Sequence, residues 1–162
     1  MAAVWLQQVG ATIQEEFSDL PDAAGVTRIT IRLTTAAVLG GILGWERESK
    51  GKAAGLRTHM LVSIGAAMFV LVPKQAGASD ADLTRVIQGL VAGIGFLGAG
   101  AILKKDDAEE VIGLTTAAGI WLTAAIGMAA GLGREATAVL STALALVILA
   151  TLPKITGLFQ RR

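Results

Sequence analysis

The sequence predicts an all-α polytopic membrane bundle of about five transmembrane helices, and three observations lead there. Residues 86–103, 111–133 and 136–153 hold no charged side chain, in runs of 18, 23 and 18 residues. A helix needs roughly 17–25 residues to cross a hydrocarbon core of about 30 Å. Residues 29–45 and 53–72 add two further apolar stretches whose charges fall near one end. The mean hydropathy is +0.63, with 17% charged residues. A soluble domain of 162 residues could not bury five such helices.

Five spans consume most of the chain, which divides into a preamble (1–27), a transmembrane region (28–153) and a basic tail (154–162). Without cysteine, disulfides and thiolate metal sites are excluded. A net charge of +1 does not suggest nucleic acid as a partner. The opening MAAVWLQQVG has no basic segment, so a cleavable signal peptide is not expected.

In the preamble Trp5, Val9, Ile13 and Phe17 recur every four residues, with Gln14, Glu15, Glu16 and Asp19 on or beside another face. This pattern predicts an amphipathic helix lying at the membrane surface; the alternative is a frayed end. Leu20-Pro21-Asp22 breaks it before the first span. Basic residues set the orientation. Arg47, Lys50, Lys52, Arg57, Lys104, Lys105, Lys154, Arg161 and Arg162 fall on one side, nine in all. Arg28, Arg32, Lys74, Arg85 and Arg134 fall on the other, five in all. The richer side is expected to be cytoplasmic, with the N-terminus outside and the C-terminus inside. A weak repeat pairs Gly55-Leu56-x-Thr58 with Gly113-Leu114-x-Thr116; duplication of a two-helix hairpin and chance similarity account for it equally well.

The glycines form several motifs. Gly93-x-Gly95-x-x-Gly98 matches a dinucleotide fingerprint, but it sits inside an uncharged span with no strand before it, so that reading is rejected. Gly40/Gly44, Gly89/Gly93 and Gly127/Gly131 are GxxxG pairs that let helix backbones approach closely. Thr115, Gly119, Thr123, Gly127 and Gly131 extend this into a small-residue stripe expected to touch another backbone. Gly93, Gly95, Gly98 and Gly100 crowd one segment, and a broken helix exposing carbonyls to an ion is the sharper alternative to packing there.

Polar residues near the membrane form the candidate functional cluster: Glu46, Arg47, Glu48, Arg57, Thr58 and His59. Glu46 and Arg57 are expected to pair across the short loop, which would offset the cost of placing either near lipid. His59 shares a helix face with Ser63 and is the one side chain that titrates near neutrality when unperturbed. The plainer alternative is an interfacial ion-pair cluster that only fixes helix positions. Arg32 lies one turn inside the first span, with Asp80 or Asp82 as its expected partner. The loop Lys104-Lys105-Asp106-Asp107-x-Glu109-Glu110 reads as solvated; as a metal site it is weak, because nothing fixes its geometry. No catalytic template is present, so neither an enzyme nor a cofactor is expected.

Three blocks carry a resemblance. GWERESKGKAAGLRTHMLVSIGAA (44–67), GLVAGIGFLGAGAIL (89–103) and GLTTAAGIWLTAAIGMAAGLG (113–133) resemble the MgtC/SapB family of bacterial inner-membrane proteins. The family's signatures fall on Glu46, Arg47, Glu48, Gly55, Leu56, Arg57, Thr58 and His59. They continue on Gly93, Gly95, Phe96, Gly98, Ala99 and Gly100, then on Gly113, Leu114, Thr115, Thr116 and Trp121. The resemblance implies a multi-pass inner-membrane protein tied to magnesium limitation, with the F-type ATP synthase as a possible membrane partner. It reads as a short form lacking the family's C-terminal cytoplasmic domain, so functions of that domain are not carried over. The expected role is regulatory, through helix–helix association in a homo-oligomer, most simply a dimer, or with another membrane protein in the bilayer. The runner-up is a transporter or channel for an ion, magnesium included, or a small solute. Against it stands the lack of a carboxylate deep within a span.

Overall fold

The computed structural model describes residues 1–18, 22–104 and 111–159. Six helices are present among them: α1 (Ala2–Glu16), α2 (Ala23–Ser49), α3 (Leu56–Gln75), α4 (Asp80–Gly100), α5 (Leu114–Gly131) and α6 (Glu135–Phe159). A two-residue antiparallel ladder, β1 (Leu103–Lys104) with β2 (Val111–Ile112), closes the neck of the loop before α5. Five helices, α2 to α6, are long and apolar enough to cross a membrane. The expected break at Leu20-Pro21 and the acidic residues 106–110 lie outside the described residues.

Residues 1–31 form one compact unit and residues 32–162 another. In the first, α1 runs through the predicted amphipathic segment with Trp5, Ile13 and Phe17 exposed. The second unit is the bundle. Its core joins Ala36, Leu39 and Leu43 of α2, Ala67 of α3, Ile126 and Ala130 of α5, and Ala138 and Ala145 of α6. Small residues dominate because the helices touch nearly backbone to backbone. In a bilayer, dispersion between closely fitted surfaces replaces the hydrophobic drive available in water.

The closest approaches run between α3 and the helices on either side of it. A Cβ on Gly40 would lie 2.7 Å from the His59 carbonyl oxygen, and one on Gly44 would lie 2.7 Å from the Leu56 Cα. On α5, a Cβ on Gly127 would collide with the Ser63 carbonyl, and one on Gly131 with the Ala67 carbonyl. The small-residue stripe of α5 thus faces the backbone of α3, and the two helices share an extensive contact. Thr123, fully buried within that stripe, returns its hydroxyl to the Gly119 carbonyl at 2.8 Å. α3 and α5 each open on the glycine of a G-L-x-T sequence, with Gly55 and Gly113 as the N-cap residues.

α4 is different. It packs on α5 and α3 and adds no residue to the core cluster. Only Leu83 and Gly98 are buried, Gly98 against Ala117. The helix is continuous from Asp80 to Gly100, so no broken segment exposes carbonyls at Gly93–Gly100. Four glycines in eight residues weaken a helix but do not stop it where the i→i−4 ladder has no competitor in lipid.

Candidate functional site

One end of the bundle gathers the C-terminus of α2, the N-termini of α3 and α5, and the later turns of α6. The sequence-predicted polar cluster is here, with partners that differ from those expected. Glu46 does not reach Arg57. Its Oε1 lies 2.6 Å from the ammonium of Lys50, four residues on and just past the end of α2, and its Oε2 lies 3.5 Å from Arg47 Nη1. An i,i+4 pair forms without any loop having to fold back, which is why Lys50 takes Glu46 first. Arg57, in the first turn of α3, is exposed and has no ion pair among the described residues. The bridge between α2 and α3 is made by Glu48 instead. Its Oε2 accepts the Leu56 amide at 2.7 Å, satisfying one of the orphan donors of the α3 N-terminus. Gly55 makes room for it, since a Cβ there would meet the same carboxylate.

Lys50 also donates to the Leu149 carbonyl of α6 at 3.1 Å. That carbonyl is free because its usual helical donor is residue 153, a proline with no N–H. The proline does not end α6, which continues to Phe159; it exposes an acceptor where α2 presents a cation.

Arg47 and His59 are the buried members of the cluster, 4% and 1% exposed. His59 donates from Nδ1 to the Gly55 carbonyl at 3.0 Å, because a carbonyl can only accept; this fixes the tautomer and leaves Nε2 turned toward Gly119. A side chain on Gly119 would meet Nε2 at 3.6 Å. Ser63, one turn further along α3, is fully buried and its hydroxyl has no partner among the described residues. Arg47 and His59 together line a cavity of about 170 Å³ whose other walls are Leu43, Thr115, Gly119, Leu122 and Leu149, among others. Thr58, half-buried, belongs to a separate hollow of about 410 Å³ bounded by Phe96, Gly100 and Ile120.

The remaining predicted glycines divide cleanly. Gly98, Gly119 and Gly127 sit against neighbouring helices, whereas Gly93, Gly95 and Gly100, like Gly89, would have nothing within 4 Å of an added Cβ. Among the described residues no three His, Asp or Glu side chains converge on a point where a metal ion could sit.

The opposite end of the bundle corrects another expectation. Arg32 does not engage Asp80 or Asp82; Asp82 is held by Arg85 at 2.8 Å and accepts the Ser79 hydroxyl at 2.6 Å. Arg32 instead donates to the Gly131 carbonyl at 3.2 Å and has Glu135 at 3.9 Å. It thereby caps the C-terminus of α5, where a cation also meets the negative end of the helix dipole. Gly133 turns there with φ +78°, and a Cβ on it would run into the Arg32 guanidinium.

Comparison with known proteins supplies the family. The chain is 41% identical over 133 residues to the Escherichia coli K12 protein named "Putative magnesium transporter YhiD", covering 78% of this chain and 61% of that protein. It is 44% identical over 116 residues to Protein SrpB of Synechococcus elongatus, covering 65% of this chain and 64% of that protein. Against Protein MgtC of Brucella abortus the identity is 42% over 120 residues, covering 74% of this chain and 49% of that protein. The chain thus spans between half and two thirds of the length of these relatives. No solved structure matches it significantly. The MgtC family model matches residues 33–158, from about three turns into α2 nearly to the end of α6, and the chain belongs to the MgtC family.

Proposed function

We propose that this chain is a non-catalytic regulatory protein of the bacterial inner membrane, linked to magnesium or ATP homeostasis, that acts by associating with another membrane-embedded helix. The observation that carries this reading is the outer surface of α4. Gly89, Gly93, Gly95 and Gly100 leave that helix open to close backbone approach, and Phe96 stands 86% exposed among them. Glycine in a lipid-facing helix contributes no packing of its own, whereas against a second helix it permits the approach that GxxxG pairs exploit. A second copy of the chain, as a homo-oligomer, is the simplest partner; another membrane protein, with the ATP synthase implied by family resemblance, is the other. The magnesium link rests on the family and on the printed name of the E. coli relative.

A second reading, ion or small-solute transport, is favoured by the buried polar column of His59, Ser63 and Thr123. Against it, Gly127 of α5 presses directly on the Ser63 carbonyl within that column, which leaves no gap for a hydrated ion at that level. Purified protein in liposomes with an internal magnesium-sensitive dye separates the two. The regulatory reading expects magnesium entry equal to that of protein-free liposomes. Entry well above that level and abolished by His59→Ala would establish transport instead.

A further inference from the structure

Arg47 carries an unfilled recognition edge. Glu46 lies against its Nη1 at 3.5 Å, but Nε and Nη2 are buried with no hydrogen-bond partner among the described residues. Those two atoms form one side of the guanidinium, a side that grips a carboxylate or phosphate through two parallel N–H···O bonds. A buried guanidinium with a bare edge is strongly disfavoured, and the unmet donors call for an acceptor that the chain itself does not supply.

The same side chain lines the cavity of about 170 Å³ described above. A cavity of about 150 Å³ holds a benzene-sized molecule, so the space takes an oxyanion and the first few carbons attached to it. Apart from Arg47, His59 and Thr115, its walls are apolar or glycine. Ala118 of α5 and Ile148 of α6 line it and are also exposed, so it is reached from the outer, lipid-facing surface between these helices. An anion entering by that route must carry an apolar body. The neighbouring charges select its head. Glu46 stands against two cations, Arg47 and Lys50, which leaves one net positive charge to be matched by a net-anionic ligand over a zwitterionic one.

We propose that Arg47, with His59 beside it, forms a buried oxyanion site that seats the phosphate of an anionic phospholipid drawn from the surrounding leaflet. The glycerol and proximal acyl carbons lie along Leu43, Leu122, Ala145 and Ile148, and the remainder of the lipid covers the outer faces of α5 and α6. His59 Nε2, left as an acceptor by its Nδ1–Gly55 bond, is available to a headgroup hydroxyl. The site goes beyond partner association and does not depend on it.

Native mass spectrometry of the full chain in mild detergent tests this, with phosphatidylglycerol and phosphatidylcholine of identical acyl chains supplied in equal amounts. The expected result is one phosphatidylglycerol retained per chain, in about tenfold preference. Arg47→Lys keeps the charge but removes the two-bond edge, and the amount of phosphatidylglycerol retained falls by about tenfold. Ala118→Phe fills the entrance without touching Arg47 and lowers retention as well, which decides the matter should the Arg47 variant not fold. Equal retention of the two lipids, or undiminished phosphatidylglycerol in Ala118→Phe, overturns the proposal. Millimolar inorganic phosphate is expected to leave the bound lipid in place; phosphate that binds while no lipid does overturns the lipid as the source of the oxyanion.

Discussion

Glu48, in the last turn of α2, accepts the main-chain amide of Leu56, the first residue of α3, at 2.7 Å. The contact joins two spans through a side chain and a helix end, and it lies in the range of a charge-assisted bond. It also places a carboxylate at the positive end of the α3 dipole. Replacing Glu48 by Ala should lower stability in detergent by about 0.5–2 kcal/mol, the usual cost of a lost N-terminal cap. Glu48→Gln should recover part of that loss, since it retains an acceptor. Thermal unfolding of the two variants beside the parent protein gives the order; equal loss in both would mean that only the charge matters.

Glu46 and Arg57 should behave as strangers. In a double-mutant cycle, Glu46→Gln and Arg57→Met should add within error, because the exposed Arg57 makes no ion pair among the described residues. The cycle of Glu46→Gln with Lys50→Met should instead show coupling of about 0.3–0.5 kcal/mol, typical of an i,i+4 pair with one exposed partner.

The glycines should separate by what faces them. Gly127→Ala should be costly, because its new Cβ would collide with the Ser63 carbonyl, and Gly127→Leu should prevent folding or cost at least about 1–3 kcal/mol. Gly95→Ala should be neutral or stabilising by up to about 1 kcal/mol, since nothing lies within 4 Å and alanine is the better helix former. Melting temperatures of the purified variants would expose any reversal of this order.

The basic residues predict an N-out, C-in orientation, which labelling can test in this cysteine-free chain. Gln75, the last residue of α3, and Lys52, in the connection before that helix, are both exposed and lie at its opposite ends. A cysteine at 75 should react with a membrane-impermeant maleimide in intact cells, and a cysteine at 52 only after the membrane is opened. Labelling of both from outside would contradict an N-out, C-in arrangement.

Charge starvation made the five spans legible, because lipid imposes a length and a composition that few other structures share. The packing of Gly127 and Gly131 was legible for a similar reason, since a small-residue stripe has little else to gain. Partner choice was not. Sequence proximity suggested Glu46 with Arg57, yet a carboxylate one helical turn from a lysine needs no loop geometry to find it. Arg32 also went to a helix end that lies far along the chain. Two signals were there to be read. Ala36, Gly40, Leu43 and Arg47 follow one helical face, which places Arg47 on the buried stripe of α2. Pro153 announces a free carbonyl at Leu149, the acceptor that Lys50 takes. The glycines of α4 were expected to pack; Gly98 does, against Ala117, but Gly89, Gly93, Gly95 and Gly100 meet nothing within the described residues, and that difference is what turns attention to a partner.

The central claim, that α4 presents a surface for another helix, is tested most directly by photo-cross-linking from position 96 in native membranes. Phe96 is 86% exposed, so a benzophenone analogue of phenylalanine can replace it without disturbing the bundle. Phe69 of α3, 60% exposed and remote from the α4 glycine face in sequence, provides the comparison. The account predicts a discrete protein adduct from position 96, either a second copy of the chain or one other membrane protein, that is lost when Gly93→Leu is added and is absent from position 69. Adducts to lipid alone from both positions would contradict it.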